Sequence, residues 1–140
     1  MEVTSINQGV IIDHVPAGRA LTVLHYLGLD PSRTRLALIM NAPSRRFGAK
    51  DIIKIEGEPE LRLDALGFVA PQASINRVEG GRIVDKRRPV RPESLTGVIA
   101  CTNPRCVTTV ERGLPQSFHL DHTGADGVYR CDYCDEKAEV

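Results

Sequence analysis

The sequence predicts an α+β chain: a mainly antiparallel sheet with two helices on one face, then a small all-β unit tied together by cysteines. Three observations lead there. Up to about residue 88, five short runs have the strand-like apolar character or period-two alternation of β-structure. Two stretches between those runs place apolar residues at helical spacing instead, which gives the order β-α-β-β-α-β-β. All four cysteines of the 140-residue chain fall within its last forty residues.

Val10, Ile11 and Ile12 form the first strand, ending at Asp13 and His14. Pro16 is expected to open a helix, because a first turn tolerates proline. Ala20, Leu21, Leu24 and Leu27 share one face of that helix, and Gly28 stops it. Residues 35–41 are β-like, with Leu36, Leu38 and Met40 alternating against Arg35, Ala37 and Ile39. Residues 43–48 read as a connection. Residues 51–56 form the next strand, with Ile53 and Ile55 on one face and Lys54 on the other. Pro59 is expected to open a second helix carrying Leu61, Ala65, Leu66, Phe68 and Val69, closed by Pro71. Residues 73–78 and 82–86 flank Gly80-Gly81, a hairpin signal. Two helices covering one face of such a sheet is the simplest packing, a ferredoxin-like arrangement.

Residues 86–92, Lys-Arg-Arg-Pro-Val-Arg-Pro, break the pattern and read as an extended connection. Its basic charge is first a solvated run. Beyond it the chain is turn-rich, with β-like runs at 107–111, 117–120 and 128–131. A unit of ~40 residues rarely buries enough apolar surface to fold unaided.

The cysteines supply an answer. Cys101 and Cys106 enclose four residues, and Cys131 and Cys134 enclose two. Each pair is a knuckle that can aim two sulfurs at one centre, and two knuckles make a tetrahedral thiolate site, the usual geometry of structural zinc. One structural Zn2+ per chain is therefore expected. Four sulfurs leave no open coordination position, which disfavours a catalytic metal. Two disulfides are the alternative, but they require an oxidising compartment, and no signal peptide is expected at Met1-Glu2-Val3-Thr4. A redox-active Cys131/Cys134 pair is a further alternative, although no apolar helix follows Cys134.

Charge is balanced at 18 basic against 18 acidic residues, which argues against a nucleic-acid binder driven by bulk positive charge. A zinc-ribbon nucleic-acid module using Lys86, Arg87, Arg88 and Arg91 remains the rival reading. Aromatics make up only 4% of the chain, too few for a base-stacking platform. No apolar run reaches the ~20 residues needed to span a bilayer. The cytoplasm is the expected location, with no membrane partner.

No glycine-rich phosphate cradle and no Ser/His/Asp signature is present. Adjacent residues on a strand point to opposite faces, so Asp13 and His14 are not expected to act as a dyad. His25, His119 and His122 read as surface residues. Lys54 and Lys86 each lie on the polar face of a strand. Together with Asp13 and His14 they would suit a nucleotide, ammonium groups meeting phosphate oxygens and a carboxylate accepting ribose hydroxyls.

Several long segments carry a resemblance: residues 9–16 (GVIIDHVP), 48–56 (GAKDIIKIE) and 70–78 (APQASINRV), with the four-then-two cysteine spacing. In these, and over almost its whole length, the chain resembles the regulatory chain of aspartate carbamoyltransferase, an enzyme of pyrimidine biosynthesis. The resemblance implies a non-catalytic subunit. It assigns 1–88 to a domain binding nucleoside triphosphate effectors (CTP as inhibitor, ATP as activator), 89–97 to a linker, and 98–140 to a zinc domain contacting the catalytic chain. It implies homodimers of regulatory chains, paired through their N-terminal domains within a hetero-oligomeric holoenzyme. The effector positions it implies are Ile6, Ile11, Asp13, His14, Ile52, Lys54, Asn76, Val78, Ile83 and Lys86. Asp13 and Lys54 fall at ribose or base contacts, and His14, Asn76 and Lys86 near the phosphates. Where the family can carry an aromatic near the base, this chain has Gly81. Cys101, Cys106, Cys131 and Cys134 fall at the zinc ligands.

Overall fold

The computed structural model describes residues 6–124 and 127–139. The chain divides into two compact units, Met1–Val90 and Arg91–Val140. In the first, β1 (Gly9–Pro16), α1 (Ala20–Leu27), β2 (Leu36–Ser44), β3 (Gly48–Glu56), α2 (Leu63–Val69), β4 (Ser74–Glu79) and β5 (Arg82–Arg87) follow one another. The five strands form one antiparallel sheet in the order β2-β3-β1-β4-β5. Ile12, Ile53 and Ile55 are fully buried and pack with Val23 and Leu27 of α1 and Leu66 and Val69 of α2. The core is thus the layer between helices and sheet, and the opposite sheet face is open.

Several boundaries differ from expectation for physical reasons. Pro16 ends β1 rather than opening a helix; α1 starts at Ala20, whose N–H is accepted by the buried Asp51 carboxylate at 2.9 Å. Leu21 is 62% exposed, and Val23 takes the core position instead. The helix after Pro59 begins only at Leu63. β2 and β3 run further toward each other than the alternation indicated, leaving only residues 45–47 as the turn. Gly80 and Gly81 adopt φ of 59° and 75°, as the central residues of a type I′ hairpin turn do.

Two strands are bulged near Asp51. In β1 the pairing with β3 slips between Ile12 and Val15, and in β2 it slips between Ile39 and Ala42. His14 and Asn41 sit in these bulges with φ of 59° and 60°. Each bulge inserts one extra residue and re-aims its side chain.

The second unit has a three-stranded antiparallel sheet, β6 (Ser94–Thr96), β7 (Ser117–Asp121) and β8 (Val128–Cys131), with one helical turn, α3 (Val107–Val110). β6 lies inside the stretch expected to be linker. Its single buried apolar residue, Leu95, is too little signal for a period. α3 replaces an expected strand. Its β-branched residues favour extended chain, but Thr109 donates its hydroxyl to the Cys106 carbonyl at 2.7 Å and closes the turn behind the first knuckle. Among the described residues, no helix is long and apolar enough to cross a membrane.

Candidate metal centre and ligand face

The four cysteines converge. Their sulfurs all lie within 4.8 Å of one another, with Cys101 to Cys134 at 3.6 Å and Cys106 to Cys131 at 3.8 Å. A tetrahedron with metal–sulfur bonds of ~2.3 Å requires sulfur separations of ~3.8 Å, so the cluster fits such an ion closely. All four are free thiols, far beyond the ~2.05 Å of a disulfide. The knuckles are held by backbone bonds: the Cys106 N–H donates to the Asn103 carbonyl at 3.1 Å, and the Asp135 N–H to the Cys131 carbonyl at 2.9 Å. Gln116 accepts the Cys101 N–H through its side-chain oxygen at 2.9 Å.

The thiols are not equivalent. Burial pushes Cys101 up to about 12 and raises Cys131. The Thr108 hydroxyl, 3.0 Å from Cys106 Sγ, pulls Cys106 down to about 7. A cation that takes four thiolates must therefore displace protons from buried sulfur. His119 and His122 stand outside the sulfur cluster and pair with carboxylates, His119 with Asp132 at 2.6 Å and His122 with Glu93 at 2.8 Å.

The open face of the first unit follows from strand alternation. With Ile12, Ile53 and Ile55 in the core, Ile11, Ile52 and Lys54 point the other way. Lys54 pairs in register with Ile11, Ile11 with Asn76, and Asn76 with Lys86. These four make one row across β3, β1, β4 and β5, a span of ~14 Å at the usual strand spacing. Val78 stands beside Ile83 in the neighbouring pair.

A cleft opens at each end of this row. One, of about 250 Å3, is lined by Ile6, Ala37, Lys54 and Glu56 among others; Ala37 is directly opposite Lys54, and its small side chain leaves the room. The other, of about 280 Å3, is lined by His14, Arg46, Gln72, Ser74, Lys86, Arg87 and Arg88. Asn76 is only 5% exposed, and its Oδ1 is a buried acceptor with no hydrogen-bond partner among the described residues.

The bulge corrects one expectation. His14 does not point away from the others: its Nδ1 lies 3.2 Å from Ser74 Oγ, and it lines the same cleft as Lys86. Asp13 pairs with Lys50 at 2.9 Å and accepts the His14 backbone N–H at 2.6 Å, so it holds both neighbours in place. Lys50 was not singled out from the sequence. Its signal was available, since Lys50, Ile52 and Lys54 share strand parity once β3 is taken from Gly48.

Two family models match the chain: the allosteric domain of the aspartate carbamoyltransferase regulatory chain over residues 1–90, and the metal binding domain of the same chain over residues 93–140. The chain belongs to the aspartate carbamoyltransferase regulatory chain family. The regulatory chain of Bifidobacterium longum (strain NCC 2705) is 61% identical over 140 residues, all of both chains. That of Clostridium botulinum (strain Hall) is 43% identical over 136 residues, 97% of this chain and 92% of that one. That of Caldivirga maquilingensis is 44% identical over 139 residues, 94% of this chain and 82% of that one. These relatives are named as regulatory rather than catalytic chains, and membership makes this a non-catalytic subunit.

The match to the metal binding domain covers all four cysteines, and four converging sulfurs suit a structural ion. A catalytic chain is the partner that a regulatory chain implies. In the allosteric domain, Gly81 leaves the sheet face open near the chain start: a Cβ there would meet only Asn7 Oδ1, at 3.8 Å.

Proposed function

We propose that the first unit binds nucleoside triphosphate effectors of the CTP and ATP type across its open sheet face. We propose equally that the second unit, clamped by Zn2+, docks on the catalytic chain. The observation that carries the effector reading is the row Lys54–Ile11–Asn76–Lys86 with a cleft at each end. A base and ribose go to the end lined by Ile6 and Lys54. Val78, Ile83 and Ile52 give apolar contact. The phosphates go to His14 and Lys86, where ammonium and imidazole groups act as charge-assisted donors. The orphan Asn76 Oδ1 between the ends offers an acceptor to a hydroxyl or amine of the nucleotide.

An effector shifts the holoenzyme only through its different affinity for two quaternary states. The boundary near residue 90 divides sensing from docking. Homodimers form through the first units, whose edge strands β2 and β5 have free backbone edges and expose Met40, Ile83 and Val84. On the second unit, Val107, Val110 and Tyr133 are exposed near the cysteine knuckles and suit a protein partner. Four reduced thiols suit a cytoplasmic site of action.

The test is the holoenzyme carrying Lys86→Ala. Its carbamoyl-transfer rate is expected to lose the response to CTP and ATP, while assembly with the catalytic chain, followed by size-exclusion, is unchanged. An undiminished response to both nucleotides sinks the effector site.

A further inference from the structure

We propose that Arg46 is a phosphate ligand of the basic cleft and sets how many phosphates that cleft accepts. This rests on the effector reading above. Arg46 belongs to the turn between β2 and β3, not to the sheet row that holds Lys54, Asn76 and Lys86. Its guanidinium carbon lies 5.0 Å from the centre of the Phe47 ring. Phe47 in turn meets the His14 ring edge-on, with centroids 6.1 Å apart and planes at 70°. Arg46 and His14, linked through Phe47, thus both line the cleft.

The charges there want an anion. Among the described residues, no acidic side chain lines the cleft. Arg87 is neutralised by Asp85 at 2.7 Å. Among the described residues, no carboxylate pairs with Arg46, Lys86 or Arg88. Like charges gathered without counter-charge are stabilised by a polyanion placed among them. Lys86 stands in the row beside Asn76, so the phosphate nearest the ribose meets it first. Arg46, on the turn, meets the phosphates farthest from the ribose. A planar guanidinium steadied on an aromatic face offers two parallel donors to such a group.

The test uses the zinc-loaded full-length chain in magnesium-free buffer, titrated calorimetrically with ATP, ADP and AMP. In the unaltered chain, affinity should fall in that order. Arg46→Ala should weaken ATP about tenfold or more while leaving AMP unchanged, which flattens the order. Arg46→Lys should restore part of the loss, because it keeps the charge without the fork. An equal loss for all three nucleotides, or no loss for any, overturns the proposal. If the unaltered chain binds all three equally and Lys86→Ala still abolishes binding, the gauge fails and the effector site stands. If the unaltered chain binds none of them, both fail.

Discussion

Asp51 is fully buried in β3, and each of its oxygens accepts a backbone N–H. Oδ2 takes that of Ala20 at the start of α1, at 2.9 Å, and Oδ1 takes that of Asn41 in the β2 bulge, at 2.8 Å. One carboxylate thus joins a helix start to a strand irregularity. Asp51→Ala leaves both donors without a partner, at ~1–3 kcal/mol each, and should destabilise the first unit by ~2–4 kcal/mol. Asp51→Asn keeps one acceptor and should cost about half of that. Urea unfolding followed by amide exchange in β3 measures both, and metal content should not change. From sequence, Asp51 read only as the start of a strand. Its partners lie 31 and 10 residues away, beyond any local pattern. The cysteines were the opposite case: their chemistry is in the residue type and spacing, so the cluster was legible before the fold was known.

At the scale of elements, β1 is the central strand, hydrogen-bonded to β3 on one side and β4 on the other. Its first residue, Gly9, lies so close to β3 that an added Cβ would sit 2.0 Å from the Ile55 carbonyl oxygen. The obstacle is backbone, so no rotamer change relieves it. Gly9→Ala should therefore push the strands apart and cost ~1–3 kcal/mol. Faster hydrogen exchange at the β1 and β3 amides, with β7 and β8 unaffected, is the expected signature. Unaltered exchange in β1 contradicts it. The order of the seven elements in this unit was legible because strand and helix periods are local and Gly80-Gly81 fixes a hairpin. β6 and α3 were not. β6 is three residues set by pairing with β7, and α3 is a single turn closed by Thr109 against its β-branched propensity. The ligand face was half legible. Strand parity gave Lys54 and Lys86, but the bulge that turns His14 into the cleft with Lys86 depends on register across strands.

At the scale of the whole molecule, the two units draw stability from different sources. The first buries an aliphatic layer including Ile12, Val23, Leu27, Ile53, Ile55 and Leu66. In the second, the buried hydrophobic residues among those described are Leu95, Ile99, Phe118 and Tyr129, together with three of the cysteines. So thin a core leaves folding to the metal, whose binding is worth an apparent ~10–16 kcal/mol in small zinc peptides. Chelation should abolish the calorimetric transition of the second unit and the docking on catalytic chain, while the first unit melts as before. Acid should act in the same direction. In the folded second unit burial holds Cys101 and Cys131 above an ordinary thiol, so protons compete with the ion for both sulfurs. Ion uptake must release those protons, so apparent affinity is greatest at high pH and falls as pH drops below the ordinary thiol range, ~8.5. Cys106, pulled down to about 7, opposes this least. Metal release into a chromophoric chelator should therefore rise on acidification, in step with loss of the second transition. If the second unit keeps its transition after the ion is stripped, or if release does not depend on pH, the tail is held by its apolar core and the sulfurs are incidental to its fold.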